Sequence, residues 1–290
     1  MSTAAILEDQ IIRFYDACQR DFQFAWHLNS RLSMHHGYWS RKTSNMPEAL
    51  TNLDQKVAKA AQVKPHEVVL DAGCGVGGSA IYLARKFQCQ VEGITLSEKQ
   101  VSFARLKATE HQLEDKINFS VANYTNTPFA DASFDVVWAI ESVCHAPEKM
   151  AFLQEAFRLL KPGGRLIIAD FFGNHLQTHD RQKWLQKWAD ARAIPQFEIF
   201  PEFLTKIQET GFDRIKSKNI TKNIRPSARR LYHFYFPGII YHKCLDLLGK
   251  SSEFNVRNAL AALYQYEALK KNLWNYHLVL ATKKISEDLI

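Results

Sequence analysis

Long apolar runs are missing from this 290-residue sequence. None approaches the roughly 20 residues that cross a bilayer. The nearest, Leu231 to Leu248, is broken by Pro237, Gly238 and several charges. Residues 1–16 (MSTAAILEDQIIRFYD) lack the basic-then-apolar layout of a secretory leader. Cysteine is scarce. The five cysteines, at 18, 74, 89, 144 and 244, are odd in number and irregularly spaced. That excludes a disulfide framework and fits free thiols in a reducing compartment. Internal repeats and low-complexity tracts are absent, and so are a G-x-S-x-G elbow and a Cys-centred catalytic pattern. His175 and His179 precede Asp180 at metal-ligand spacing, but no third ligand cluster accompanies them, so no metal is expected. The expectation is a cytoplasmic globular protein with no transmembrane segment. Peripheral membrane contact and a homo-oligomer stay open.

Acidic residues are missing from one stretch, 214–230 (RIKSKNITKNIRPSARR), which carries seven Lys or Arg of a net charge of +7. The remainder of the chain therefore sums to zero. The tract reads first as a solvated strand edge, with Arg214, Lys216 and Lys218 alternating along a strand and deterring edge-to-edge pairing. Its other readings are contact with RNA, a phosphate-bearing substrate or anionic lipid. No RNA-binding module is recognisable, so no nucleic-acid partner is expected.

What is present is concentrated in Val68 to Ala84, VVLDAGCGVGGSAIYLA. It reads as an apolar strand, an acid at the strand tip, a glycine-rich turn and the start of a helix, the place where an α/β protein cradles a nucleotide-like ligand. Gly73, Gly75 and Gly78 fit G-x-G-x-x-G, a weak signal alone. Asp71 sharpens it: a carboxylate there repels phosphate and suits a ligand whose end is cationic or rich in hydroxyl donors.

Short Val- and Ile-rich segments at 68–71, 90–95, 117–121, 135–140 and 165–171 read as strands, each followed by a helical stretch, the pattern of a parallel sheet. Pro162-Gly163-Gly164 marks the turn into the fifth. Helices are expected near 177–192 and 201–209, the latter closed by Gly211, then a strand over 212–221. Residues 226–272 read as two or more helices, with Ser251 or Ser252 as an N-cap, and 274–282 as a final strand. The organisation is a helical arm (1–63), an α/β core (64–225), a helical cap insertion (226–272) and a last core strand with its tail (273–290). Arm and cap are free to fold over the carboxyl edge of the sheet.

Three blocks in order, LDAGCGVGGSA (70–80), PFADASFDVVWAIES (128–142) and RLLKPGGRLIIAD (158–170), resemble class I S-adenosylmethionine-dependent methyltransferases. GCGVGG and AIESVCHAP (139–147) are similar to the sterol C-24 branch; GITLSEKQ (93–100) and HHGYW (35–39) are similar to the tocopherol branch. The resemblance implies a Rossmann-like, seven-stranded, mostly parallel sheet and S-adenosyl-L-methionine as cofactor. The implied cofactor contacts are Asp71, Gly73, Gly75, Thr95, Leu96, Gln100, Asn123, Tyr124 and Ile140. Where many class I enzymes carry an acid after the second strand, this chain has Gly93-Ile94-Thr95-Leu96, and after the third it has Asn123-Tyr124 instead of an acid. An Asn carbonyl still accepts from an adenine amino group. His35-His36 is expected in a loop closing over the cofactor.

Glu141 and His145, four residues apart past the fourth strand, are the candidate catalytic pair for proton handling on the substrate side. The arm offers Phe14, Tyr15, Phe22, Phe24, Trp26, Tyr38 and Trp39; the insertion offers Tyr232, Phe234, Tyr235, Phe236 and Tyr241. Together these aromatics argue for a large apolar pocket, with Tyr15, Trp26, Trp39, Tyr232 and Phe236 as the candidate substrate contacts. The expected reaction is C-methylation of a small hydrophobic isoprenoid (sterol, prenyl diphosphate or prenyl-quinol type). The alternatives are O- or N-methylation of an aromatic or indole metabolite, an RNA methyltransferase, and a non-catalytic cofactor-binding protein. For a prenyl diphosphate, Arg225, Arg229 and Arg230 would form an anion clamp.

Overall fold

The computed structural model describes residues 3–25, 32–175, 180–249 and 251–285. Trp26, His179 and the side chain of Phe24 lie outside them, as does the start of the helix expected over 177–192.

Seven strands form one sheet in the order β3-β2-β1-β4-β5-β7-β6. They are β1 (Val68–Ala72), β2 (Gln90–Thr95), β3 (Ile117–Val121), β4 (Phe134–Ile140), β5 (Leu160–Gly173), β6 (Phe212–Asn219) and β7 (Trp274–Lys283). The first five run parallel to one another; β7 is antiparallel to both β5 and β6. The inner strands are continuous apolar runs because both their faces are covered. Strand order reverses between β1 and β4, so a crevice opens at their carboxyl ends. β6 is an edge strand with Arg214, Lys216 and Lys218 exposed, in keeping with a solvated edge.

The arm contains α1 (Thr3–Ala17), α2 (Gln19–Ala25) and α3 (Met46–Ala61). Asn45 caps α3 by accepting from Glu48 N at 2.9 Å. In the core, α4 (Gly78–Phe87) follows the glycine turn, α5 (Glu98–Glu110) is capped by Ser97, and α6 (Lys149–Leu159) joins β4 to β5. Beyond β5 come α7 (Trp184–Ala191) and α8 (Phe200–Glu209). The cap is α9 (Thr221–Leu247) packed on α10 (Glu253–Lys270), and α10 also packs on α7. Ser252 opens α10 in a capping box with Asn255.

Three expectations are corrected. No helix follows β3: Asn123 Oδ1 accepts from Thr125 N at 2.8 Å and folds the chain into a tight turn. The Pro-Gly-Gly turn lies inside β5, whose pairing with β4 jumps from Phe134–Leu160 to Val136–Arg165. The cap begins at Thr221, ahead of the expected 226, and Pro226 lies inside α9, where it removes one bond of the helix ladder without ending the helix. No helix among the described residues is long and apolar enough to cross a membrane.

Candidate active site

All nine implied cofactor residues line one cavity at the carboxyl ends of β1, β2 and β4. Gly73 takes φ +93° and Gly75 φ +54°, values glycine adopts without strain. A Cβ on Gly73 would strike the Ser142 side chain; one on Gly78 would strike the Leu32 carbonyl. The third glycine therefore admits the arm, not the ligand.

Asp71 is buried, and its Oδ2 has no hydrogen-bond partner among the described residues. Burial pushes its carboxyl up to about 7; nearby Asp54 adds to this and His35 opposes it. His35 lies 3.5 Å from Asp54 Oδ1 and donates from Nδ1 to His36 O at 2.9 Å. Burial alone would lower the His35 pKa, but Asp54 more than reverses this and carries it to about 9. An orphaned acceptor beside a glycine turn fits S-adenosylmethionine, whose methionine end brings N–H donors and positive charge. Asp71, Gly73 and Gly75 would hold that end.

Thr95 donates its hydroxyl to Gln100 Oε1 at 2.6 Å, so the two implied polar contacts brace each other. The acid missing after β2 and β3 enters from the arm instead. Glu8 of α1 lines the cavity and accepts from Asn123 Nδ2 at 2.8 Å, and Asp16 accepts from Ser97 Oγ at 2.6 Å. The Asn123 carbonyl already accepts from Thr125 N and Oγ1, which sets its turn role against the expected adenine contact.

Glu141 and His145 line the same cavity but have different partners. Glu141 adopts φ +50°, a strained value for a non-glycine residue. Its Oε1 accepts from His36 N at 2.6 Å and from the Tyr276 hydroxyl at 3.0 Å, and both its oxygens lie 3.1 Å from His36 Nδ1. Burial pushes its carboxyl up, yet the His36 ring and N–H, with the His35 charge, hold it below the ordinary range. Glu141 thus fastens the HHGYW loop over the cavity, which His35 and His36 line as expected.

His145 sits in a short 3-10 turn, Val143–His145. Its Nδ1 donates to Ala193 O at 3.3 Å, which leaves Nε2 to accept from the Tyr15 hydroxyl at 3.0 Å. Burial, aided by the Arg192 charge, lowers its pKa to about 3, so the ring is neutral. Buried Asp170 accepts from Cys144 N at 2.9 Å, and Lys149 Nζ donates to Cys144 O at 3.0 Å, pinning the turn. The sequence signals for these positioning residues were slight: Asp170 merely ends the apolar run RLIIAD.

A second cavity of about 520 Å3 lies within the cap, walled by Phe22, Leu231, Phe234, Tyr235 and Tyr241. Trp188, Arg192 and Gln265 line both cavities, so the two adjoin. Sequence reasoning missed these three. Of the candidate substrate contacts, Tyr15 lines the first cavity. Trp39, Tyr232 and Phe236 line neither. Trp39 Nε1 donates to Ser227 Oγ at 2.8 Å, and Tyr232 packs on Tyr266 with ring centroids 4.9 Å apart. Phe236 is 51% exposed. Tyr232 and Phe236 are i, i+4 neighbours on the helix side away from Leu231, Phe234 and Tyr235. The expected anion clamp is corrected too: Arg225, Arg229 and Arg230 line neither cavity.

The family model described as "Methyltransferase domain" matches residues 70–168. The 27-O-demethylrifamycin SV methyltransferase of Amycolatopsis mediterranei is 38% identical over 223 residues, covering 76% of this chain and 79% of that protein. A probable chloroplastic tocopherol O-methyltransferase of Oryza sativa is 29% identical, covering 96% of this chain and 78% of that one. Among solved structures, the [4+2]-cyclase SpnF superposes with a TM-score of 0.80 at 24% identity, over 96% of this chain and 97% of that one.

Proposed function

Because the chain belongs to the class I S-adenosylmethionine-dependent methyltransferases, we propose that it methylates a hydroxyl group on a large apolar small molecule of polyketide or prenylated type. The observation that carries this reading is the neutral His145 imidazole, with Nε2 as acceptor, at the cofactor cavity beside an apolar chamber. The bound cofactor supplies an electrophilic methyl group on a sulfonium. Asp71 and the glycine turn orient its methionine end. Phe22, Leu231 and Phe234 hold the apolar body of the acceptor and exclude water. The acceptor oxygen, once it carries the methyl group, is a strongly acidic oxonium. It gives its proton to the Tyr15 oxygen as the Tyr15 hydroxyl passes its own to His145 Nε2, so no free alkoxide is needed.

A second reading, C-methylation of an alkene, is supported by Glu141, an ionised carboxylate near the Phe171 and Trp188 rings that line the same cavity. Those groups suit a transient carbocation. Methyl-labelled cofactor incubated with hydroxylated macrocycles, prenylated phenols, sterols and prenyl diphosphates separates the two. The expected product carries the label on oxygen; label found on carbon alone would overturn the hydroxyl reading.

A further inference from the structure

Helix α9 carries apolar side chains on two opposite faces. Leu231, Phe234, Tyr235 and Gly238 turn inward and line the cap cavity. On a helix, residues three, four and seven apart share a side. Outward, that spacing joins Arg225 and Arg229 in the first half to Phe236, Ile240, Lys243 and Leu247 in the second, and no acid shares it. Ile240 is 64% exposed and Leu247 88%, with Leu248 beside it at 67%. Large apolar side chains exposed side by side are uncommon on a protein surface and mark a contact face. Tyr241, which shares a side with Phe234 and Gly238, is both exposed and part of the cavity wall, so the chamber reaches the surface at the flank of α9. Pro237, which has no N–H to give to the helix ladder, and Gly238 lie at the same place.

We propose that the outer face of α9 docks on an anionic lipid bilayer, its apolar side chains entering the interface and its basic ones meeting headgroup phosphates. The mouth of the cap cavity, at the flank of α9, would then open beside the lipid. Charge decides the occupant. A two-fold contact between copies would set Arg225, Arg229 and Lys243 against their own kind. A nucleic acid would use the cations but leave Ile240 and Leu247 against polar phosphates. Anionic lipid satisfies both parts of the stripe. Delivery of an apolar acceptor through this face rests on the proposed function; the docking does not.

The test is flotation of the purified protein with vesicles of phosphatidylcholine alone or mixed with phosphatidylglycerol. The protein should float with the mixed vesicles and leave them at high salt. Arg225→Gln with Arg229→Gln should lower partitioning about fivefold per cation removed, the equivalent of about 1 kcal/mol each. Ile240→Ser with Leu247→Ser should abolish flotation while S-adenosylhomocysteine binding and turnover of a detergent-dispersed acceptor stay at wild type. Three results would overturn the proposal: no flotation with either vesicle, variants that float like wild type, or a solution dimer that the serine pair dissolves. Intact flotation with no methyl transfer to any acceptor would instead remove the proposed function and leave the docking.

Discussion

The Tyr15 hydroxyl lies 3.0 Å from His145 Nε2, joining the N-terminal arm to the turn after β4 across 130 residues of sequence. Burial pushes the phenol up to about 12 and the imidazole down to about 3, so the pair shares one proton as a neutral phenol donating to a neutral ring. His145→Gln should lower kcat by about 100- to 10,000-fold, with cofactor affinity unchanged by calorimetry. Tyr15→Phe should lower kcat in the same direction and by less.

The pH profile follows from the same pair. A histidine with a depressed folded pKa holds its neutral form; the stability it contributes is complete above the unfolded value of about 6.5 and is lost as pH falls from there through about 3. kcat/KM should therefore show no acid inflection from His145 near the ordinary value of about 6.5. An inflection there that His145→Gln removes would disprove the neutral-ring assignment.

Asp71 gives the opposite sign. Its folded pKa, about 7, stands above an unfolded value of about 3.9. The stability it contributes is complete below the unfolded value and is lost as pH rises through about 7. Buried Asp170, also pushed up to about 7, acts in the same window. The cofactor-free protein should lose thermal stability between about pH 4 and pH 7, and bound cofactor should restore it by favouring the ionised Asp71. Asp71→Asn should flatten part of that loss and abolish cofactor binding. Thermal unfolding across pH, with and without cofactor, reads both effects.

The lining of the first cavity was largely legible because its residues cluster at strand ends that announce themselves locally. β2 and β3 run over 90–95 and 117–121, as their apolar segments indicated, and the glycine turn marks the end of β1. The acceptor half was not legible. Helix α9 has aromatics on both faces, so periodicity could not say whether Tyr232 and Phe236 or Phe234 and Tyr235 turn inward. Glu141 read as a base because nothing local shows that His36 and Tyr276, distant in sequence, occupy its oxygens. Arg192 and Gln265 reach the site only through the packing of α7 on α10.

The arm should govern cofactor release. Asp16 accepts from Ser97 Oγ at 2.6 Å, and its carbonyl accepts from Lys99 Nζ at 2.9 Å, so α1 is fastened to the start of α5 beside Gln100. A hydrogen bond to a charged group contributes about 1.5–3 kcal/mol, so Asp16→Ala should speed cofactor dissociation about tenfold or more. Stopped-flow displacement measures this directly. An unchanged dissociation rate would mean that the arm does not gate the cofactor.

The cap cavity should set acceptor size. Ala262 is half-buried on its wall, so Ala262→Phe places a ring in the chamber with less overpacking than fully buried Ala261 would suffer. The cofactor cavity is not lined by Ala262, so binding of S-adenosylhomocysteine should be untouched. KM for a large acceptor should rise while a smaller acceptor of the same functional group keeps its kcat/KM, because only the volume beyond Trp188 and Arg192 has changed. Steady-state kinetics on a pair of acceptors differing in apolar bulk decides it. Equal losses on both would place the acceptor outside this chamber and return the question to the first cavity alone.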